Sequence, residues 1–305
     1  MMRSGLFVTV AICTYNRCES LAETLVTLVA QSHAEAADWQ VLIVDNNSSD
    51  ATLRVISGFA GRIGVRVVRE TRQGLSHARN RALREARGEW ILFIDDDVKL
   101  DPGWLAAWIG ALRDAPDAAY AGGRILPDWG GAPPRWFRGE KLALIDGALV
   151  WFDLGDDVRP LRDDDPPPFG GNMAIRRQWA LGLNGFRPDL GMKGQELGRG
   201  EETDLFLRAR RKGAGGLYVG TALCRHRYEP ARFTPRALFR YGVASGLAHR
   251  AVVDANASGS WSASCAYLAR GTVQLLRGRG DRFRQCIVNA GIEAALAAPV
   301  LHDER

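Results

Sequence analysis

The chain is poor in cysteine and histidine and has no long unbroken apolar run. Its 305 residues include 5 Cys and 5 His. The cysteines, Cys13, Cys18, Cys224, Cys265 and Cys286, are odd in number and form no Cys-x-x-Cys. A disulfide-stapled scaffold and a cysteine–histidine zinc site are therefore excluded, and the usage fits a reducing, cytoplasmic setting. The longest apolar runs fall short of the ~20 residues needed to cross a bilayer. Gly5–Cys13 is apolar but short, and it reads as a buried first strand rather than a leader. No Gly-x-Gly-x-x-Gly follows it and no P-loop is present, which argues against a dinucleotide dehydrogenase. What is present is an ordinary globular mixture, 46% hydrophobic and 25% charged, which excludes wholesale disorder. Lys and Arg exceed Asp and Glu by 40 to 35, a net charge of +5. That excess fits anionic partners such as nucleotide diphosphates or an acidic membrane face without choosing among them.

The first hundred residues alternate strand-like and helix-like segments. Leu6–Ile12, Gln40–Val44, Gly64–Val68 and Trp90–Ile94 read as strands. Cys18–Gln31, Asp50–Phe59 and Leu75–Ala86 carry apolar residues at helical spacing. Such alternation predicts a mostly parallel sheet covered by helices, with ligands beyond the carboxyl ends of its strands. The middle is less regular. Pro127–Arg138 and Asp153–Gly170 are rich in Pro, Gly and charge and read as long loops of the kind that form lids or binding segments. A helix is expected near Glu201 and a strand over Leu217–Cys224. From Pro235 onward the pattern is helical: Pro235–Ala251, Ser262–Leu276 and Arg282–Leu301.

The residues just after each strand carry the chemistry. In an extended segment, side chains two apart share a side, so Asp95 and Asp97 of the Asp95-Asp96-Asp97 run converge on one object. Three adjacent carboxylates need a compensating cation, and oxygen ligands suit Mg²⁺ or Mn²⁺. The structural alternative is an acidic turn capping a helix over Pro102–Leu112. Asp45, after the second strand, is placed to accept hydrogen bonds from a nucleobase or ribose, with Asp50 capping the next helix. Glu201 and Glu202 open a helix, where acids are favoured by the dipole, and a carboxylate there can also act as a general base. Ser76–Asn80 opens another helix, with Arg79 available to phosphate. Gly170-Gly171-Asn172 ends the second loop, and Arg225-His226-Arg227 follows the last strand.

Taken together, Ile12–Arg17, Val44–Asp50, Gly74–Asn80, Phe93–Val98, Gly170–Ile175, Gly185–Gly191 and Gly200–Leu207 resemble, in order, the motifs of the family 2 glycosyltransferases. The resemblance covers roughly residues 6 to 228. It implies an inverting enzyme of the GT-A, nucleotide-diphospho-sugar transferase fold, with a Rossmann-like, mostly parallel sheet flanked by helices and a C-terminal helical extension. The implied division is a catalytic domain over 1–228, with a nucleotide-binding half (1–98) and an acceptor-binding half (99–228), then a helical region over 229–305.

The resemblance also implies roles. Thr14, Tyr15, Arg17, Asp45, Arg79, Asn80, Asp95 and Asp96 would bind the nucleotide and donor. Asp97, Asp95 and His226 would hold Mn²⁺ or Mg²⁺. Gly171 and Asn172 would sit near sugar and acceptor. Glu202 would be the base, with Glu201 the alternative, because the family usually has Glu-Asp where this chain has Glu-Glu.

The expected partners are a nucleoside-diphosphate sugar, most often a uridine one, and a saccharide or lipid-linked acceptor, with no nucleic acid. Arg208–Lys212 and Arg277–Arg284 read as solvated helix faces or as contacts to anionic lipid at the cytoplasmic membrane face. An apolar stripe through Cys286, Ile287, Ala290 and Ala294 reads as packed on the core or on a second subunit. Trp129, Trp136 and Trp151 are candidates for stacking on sugar or for core packing. Two rivals differ in class. A haloacid dehalogenase-type phosphatase also places Asp-x-Asp after a strand, but after its first; a non-catalytic nucleotide-sugar-binding module would not need Glu202.

Overall fold

The computed structural model describes residues 8–31, 39–139, 143–194, 196, 198–254 and 257–298. The expected strand start at Leu6 and helix end at Leu301 lie outside them. Its elements are, in chain order, β1 (Val8–Thr14), α1 (Cys18–Val29), β2 (Trp39–Asp45), α2 (Thr52–Phe59), β3 (Val65–Arg69), α3 (Leu75–Glu85), β4 (Trp90–Ile94), β5 (Val98–Leu100), α4 (Trp104–Asp114) and β6 (Ala118–Asp128). There follow α5 (Ala143–Leu149), β7 (Val158–Pro160), β8 (Asn172–Arg176), α6 (Arg177–Gly182), α7 (Glu201–Arg211), β9 (Gly215–Arg227), α8 (Pro235–Val252), α9 (Trp261–Leu276) and α10 (Gly280–Ala297).

The strands form one sheet in the order β3-β2-β1-β4-β8-β6-β9-β5, with β7 beside β9. The parallel character expected from the sequence holds for β1 to β4. There β1 and β4 are uninterrupted apolar runs because both faces are covered: Val8, Val10, Ile12, Leu92 and Ile94 join α1 and α4 in one core, while Ala11, Ile91 and Phe93 join α3 and α7 in the other. Then β8 enters antiparallel between β4 and β6. Its first residue, Asn172, is therefore opposite Ile94, at the carboxyl end of β4. Neither β5 nor β7 was expected from the sequence. Each has three residues and exists by pairing with β9, which is remote in the chain.

Two compact units are formed: residues 1–128, 150–195 and 201–227, and residues 129–149, 196–200 and 228–305. This differs from one cut after residue 228, since two middle segments join the helical unit. In that unit α8 begins on Thr234-Pro235, where Thr234 Oγ1 accepts the Ala237 N–H (3.3 Å) and Pro235 opens the first turn. Glycine lets α8 and α10 approach closely: a Cβ at Gly242 would lie 2.1 Å from the Val288 carbonyl oxygen, and one at Gly291 would lie 2.3 Å from that of Phe239. Ile287, Ala290 and Ala294 are buried as the stripe predicts. Trp129, Trp136, Phe137, Tyr228 and Phe233 pack on one another within the same unit.

Candidate active site

The carboxyl ends of β1, β2 and β4, with the start of β8, gather most of the expected residues. Asp95 and Asp97 point to one side, as alternation predicts. Potential ligand atoms of Asp95, Asp97 and His226 all lie within 4.8 Å of one another. His226 comes from the end of β9, whose pairing with β5 sets it opposite Val98. Its Nε2 stands 3.1 Å from Asp97 Oδ1, and Arg17 lies 3.7 Å from the other oxygen of Asp97. Two carboxylates and an imidazole form a hard donor set with one softer nitrogen, which fits Mn²⁺ and accommodates Mg²⁺.

Asp96 turns the other way. It is buried and accepts a 2.5 Å hydrogen bond from the Thr14 hydroxyl. Burial, together with the charge of Asp97, pushes its carboxyl up to about 7. Thr14 and Asp96 therefore brace the acidic turn from beneath.

Asp45 is fully buried at the tip of β2. Its Oδ1 accepts the Ser48 N–H at 3.1 Å, while its Oδ2 is buried with no hydrogen-bond partner among the described residues. A buried, unsatisfied carboxylate oxygen is costly, so it marks a place for a donor. The surrounding loops are laced by residues that the sequence reading passed over. The Asn46 amide donates to the carbonyls of Glu70 and Arg72 and accepts the Gly74 N–H. Asn16 Oδ1 accepts the Ser49 and Asp50 N–H groups. Asp50 accepts the Thr52 N–H at the start of α2, as expected of a cap. Tyr15 is half-buried at the adjoining β1 end.

The largest departure is Arg79. Expected to face phosphate, its side chain is only 3% exposed. It pairs with Glu201 at 2.7 Å and approaches Asp95 at 3.7 Å and Glu202 at 3.9 Å. The rings of Phe93 and Phe186 flank the guanidinium, 6.0 and 5.5 Å from its carbon. Gly170 and Gly171 make room: a Cβ at Gly170 would lie 2.1 Å from Arg79 Nη2, and one at Gly171 would lie 3.0 Å from Asp95 Oδ2. Gly171 thus lies beside the acidic pair. Glu201 is buried, and burial with the nearby charge of Glu202 pushes it up to about 8 against the pull of Arg79. A hydrogen bond joins the two glutamates, so one proton shared by the pair suits the geometry. Glu202 is the more accessible of the two, with 20% of its side chain exposed against 5% for Glu201.

Two further expected site residues are engaged within the protein. Asn172 is fully buried. Its oxygen accepts both the Trp104 and Trp108 indole N–H groups, and its amide donates to the Arg124 and Ala222 carbonyls. With the hydrogen-bonding positions of its side chain filled, it holds strands and α4 together. Asn80 likewise donates to the Phe186 carbonyl and accepts its N–H, pinning the turn that brings Phe186 onto Arg79. The Arg208–Lys212 tract is partly internal: Arg208 donates to Gly185 and pairs with Asp204, and Arg210 donates to Tyr120 and Asp165.

The description "Glycosyl transferase family 2" belongs to a family model that matches residues 9–180, more than half of the chain. The chain belongs to that family. This family 2 chain is 28% identical over 205 residues to a glucosyl-dolichyl phosphate glucuronosyltransferase of Haloferax volcanii, 66% of this chain and 62% of that one. It spans 45% and 48% of the lengths of two further family relatives. Among solved structures, it matches a mannosyltransferase of Pyrobaculum calidifontis in complex with GDP-Man and Mn²⁺, with a TM-score of 0.62 at 20% identity, covering 96% of this chain and 88% of that one. Residues 1–349 of S. aureus TarS in complex with UDP-GlcNAc match with a TM-score of 0.55 at 13% identity, covering 92% and 90%. The fold is thus the GT-A glycosyltransferase fold, a mixed α/β sheet with C-terminal helices. Family membership sets aside the phosphatase rival, whose Asp-x-Asp would follow β1. Among the described residues, no helix is long and apolar enough to cross a membrane.

Proposed function

We propose that the chain is an inverting, metal-dependent glycosyltransferase that moves a sugar from a nucleoside diphosphate, uridine first, to a hydroxyl of a saccharide or lipid-linked saccharide in glycan or cell-surface polysaccharide synthesis. The observation that carries this reading is the convergence of Asp95, Asp97 and His226 within 4.8 Å, with Glu202 reaching the same site through Arg79. Relatives whose names include dolichyl phosphate and succinoglycan support the acceptor class, and the GDP-Man and Mn²⁺ of one structural neighbour support donor and ion.

Asp95, Asp97 and His226 would hold Mn²⁺ or Mg²⁺, which supplies Lewis-acid charge opposite the donor diphosphate. The open oxygen of Asp45 receives an N–H of the base, and Tyr15 and Arg17 border the nucleotide. Glu202 takes the proton of the acceptor hydroxyl as that oxygen bonds to the anomeric carbon. The carbon's bond to the diphosphate oxygen breaks in the same displacement, so configuration inverts and no enzyme-linked sugar forms. Arg79 fixes Glu201, and through it the first turn of α7. The non-catalytic alternative makes the opposite prediction at Glu202 and Asp97.

A panel of uridine and guanosine diphosphate sugars with Mn²⁺, Mg²⁺ or EDTA, read by thermal shift and by nucleoside diphosphate release, tests the reading. One donor is expected to stabilise the protein in the presence of metal alone. Equal stabilisation in EDTA overturns the metal role, and failure of every donor overturns the donor class.

A further inference from the structure

The helical unit carries an amphipathic helix that faces the wrong way round for a free surface. One side of α9 is anchored: Ser264 and Gly271 are buried, and Ser264 Oγ donates to the Ala290 carbonyl of α10 at 2.9 Å. Ser260 caps its start through the Ala263 N–H, and the Ser260 N–H in turn donates to Glu293. The rest of its surface is largely exposed and carries large apolar side chains among small ones. Trp261 is 60% exposed, Leu268 39%, Val273 44%, Leu275 51% and Leu276 83%. An isolated exposed leucine needs no explanation, but a row of this kind along one helix does.

The charge beside that row has one sign. Trp261–Leu276 contains no Asp or Glu, and Arg270, Arg277, Arg279 and Arg282 are exposed on or just beyond the helix. Among the described residues, Asp281 at the arginine end is buried, and Glu293, at the Trp261 end, is engaged by the Ser260 N–H. Arg284 stacks over Trp136 at 4.4 Å and is not counted in the patch. We infer that α9 is an interfacial helix: its outward face sinks into the surface of an anionic bilayer, with Trp261 at one end and the arginines meeting lipid phosphates at the other. At sixteen residues it extends about 24 Å, long enough to lie along a membrane and too short to span one. A second copy is the weaker occupant, because two such faces would bring arginine clusters of like sign together with no acid from α9 itself between them.

The test is sedimentation of the full chain with sucrose-loaded vesicles, without donor or metal, so the result stands whatever the substrate. Vesicles of pure phosphatidylcholine are compared with an equal mixture of phosphatidylcholine and phosphatidylglycerol. Binding is expected to the mixed vesicles and to weaken with salt. Arg277→Glu/Arg279→Glu should lower partitioning about tenfold or more, each arginine near such a surface being worth about fivefold. Leu275→Glu/Leu276→Glu should lower it at least as far, with an unchanged melting transition because both positions are exposed. No binding to mixed vesicles overturns the inference, as does a leucine variant that still binds like the original chain. A concentration-dependent dimer in ultracentrifugation that the leucine variant abolishes also overturns it, in favour of self-association.

Discussion

In the strand-rich unit the unusual side chains are charged and inside; in the helical unit they are apolar and outside. Arg79, Glu201, Asp96, Asp97 and His226 are all buried, whereas Trp261, Leu275 and Leu276 of α9 are exposed. A buried charge persists only if partners compensate it, and here each one touches another: Arg79 meets Glu201 and Asp95, Asp97 meets His226 and Arg17, and Asp96 meets Thr14. Exposed hydrocarbon needs no such compensation, and its cost to folding is small. The comparison teaches that the two kinds of functional surface have opposite energetics. The first is held at the expense of stability through a network that fails if one member is removed. The second is nearly neutral in the isolated chain and acquires value on contact with a partner.

The largest effects should appear where the network meets the reaction. Asp97→Asn and Glu202→Gln are each expected to lower kcat by about 10³-fold. They separate in binding: the metal-dependent thermal shift with donor is lost in Asp97→Asn and kept in Glu202→Gln. Retained turnover in Glu202→Gln would move the base role to Glu201.

Arg79→Met asks how much the network itself contributes to folding. It removes the cation that Asp95, Glu201 and Glu202 share, and a loss of about 3–5 kcal/mol is expected in urea unfolding, with partial recovery in Arg79→Met/Glu201→Gln. Under the same conditions the exposed Leu275→Glu/Leu276→Glu pair should shift stability by less than about 0.5 kcal/mol. Similar losses for the two variants would abolish the contrast.

The most gradual effect is a pH slope. Glu201 is raised from its ordinary 4.5 to about 8, so the folded chain keeps a proton that the unfolded chain releases. Its contribution is present below pH 4.5 and is lost as pH rises toward 8. Stability should therefore fall with pH across that window, by at most about 1.4 kcal/mol per unit. Glu201→Gln should flatten that part of the curve, and an unchanged slope would show that Arg79 keeps Glu201 ionised.

What was legible in the sequence was local. Asp45 and the Asp95/Asp97 pair follow from strand ends and a two-residue alternation, and the helices from Pro235 onward follow from their period. The internal partners of Arg79, Asn80 and Asn172, namely Glu201, Phe186 and the indoles of Trp104 and Trp108, were not legible because they are distant in the chain and leave no nearby pattern. The stripe through Cys286, Ile287, Ala290 and Ala294 follows from the period of α10, whereas the exposed apolar side chains of α9 left no such pattern.

The antiparallel ladder of β5 and β9 carries a consequence for how such a chain can change. Val98 sits opposite His226, and the Arg227 N–H donates to the Asp97 carbonyl, so the imidazole is aligned by a zipper of a few rungs whose two sides are far apart along the chain. Insertions in the segment between them leave that alignment untouched, whereas one extra residue inside β9 would rotate His226 to the opposite side. The segments between β5 and β9 are thus free to diversify in length while Asp97 and His226 keep their spacing.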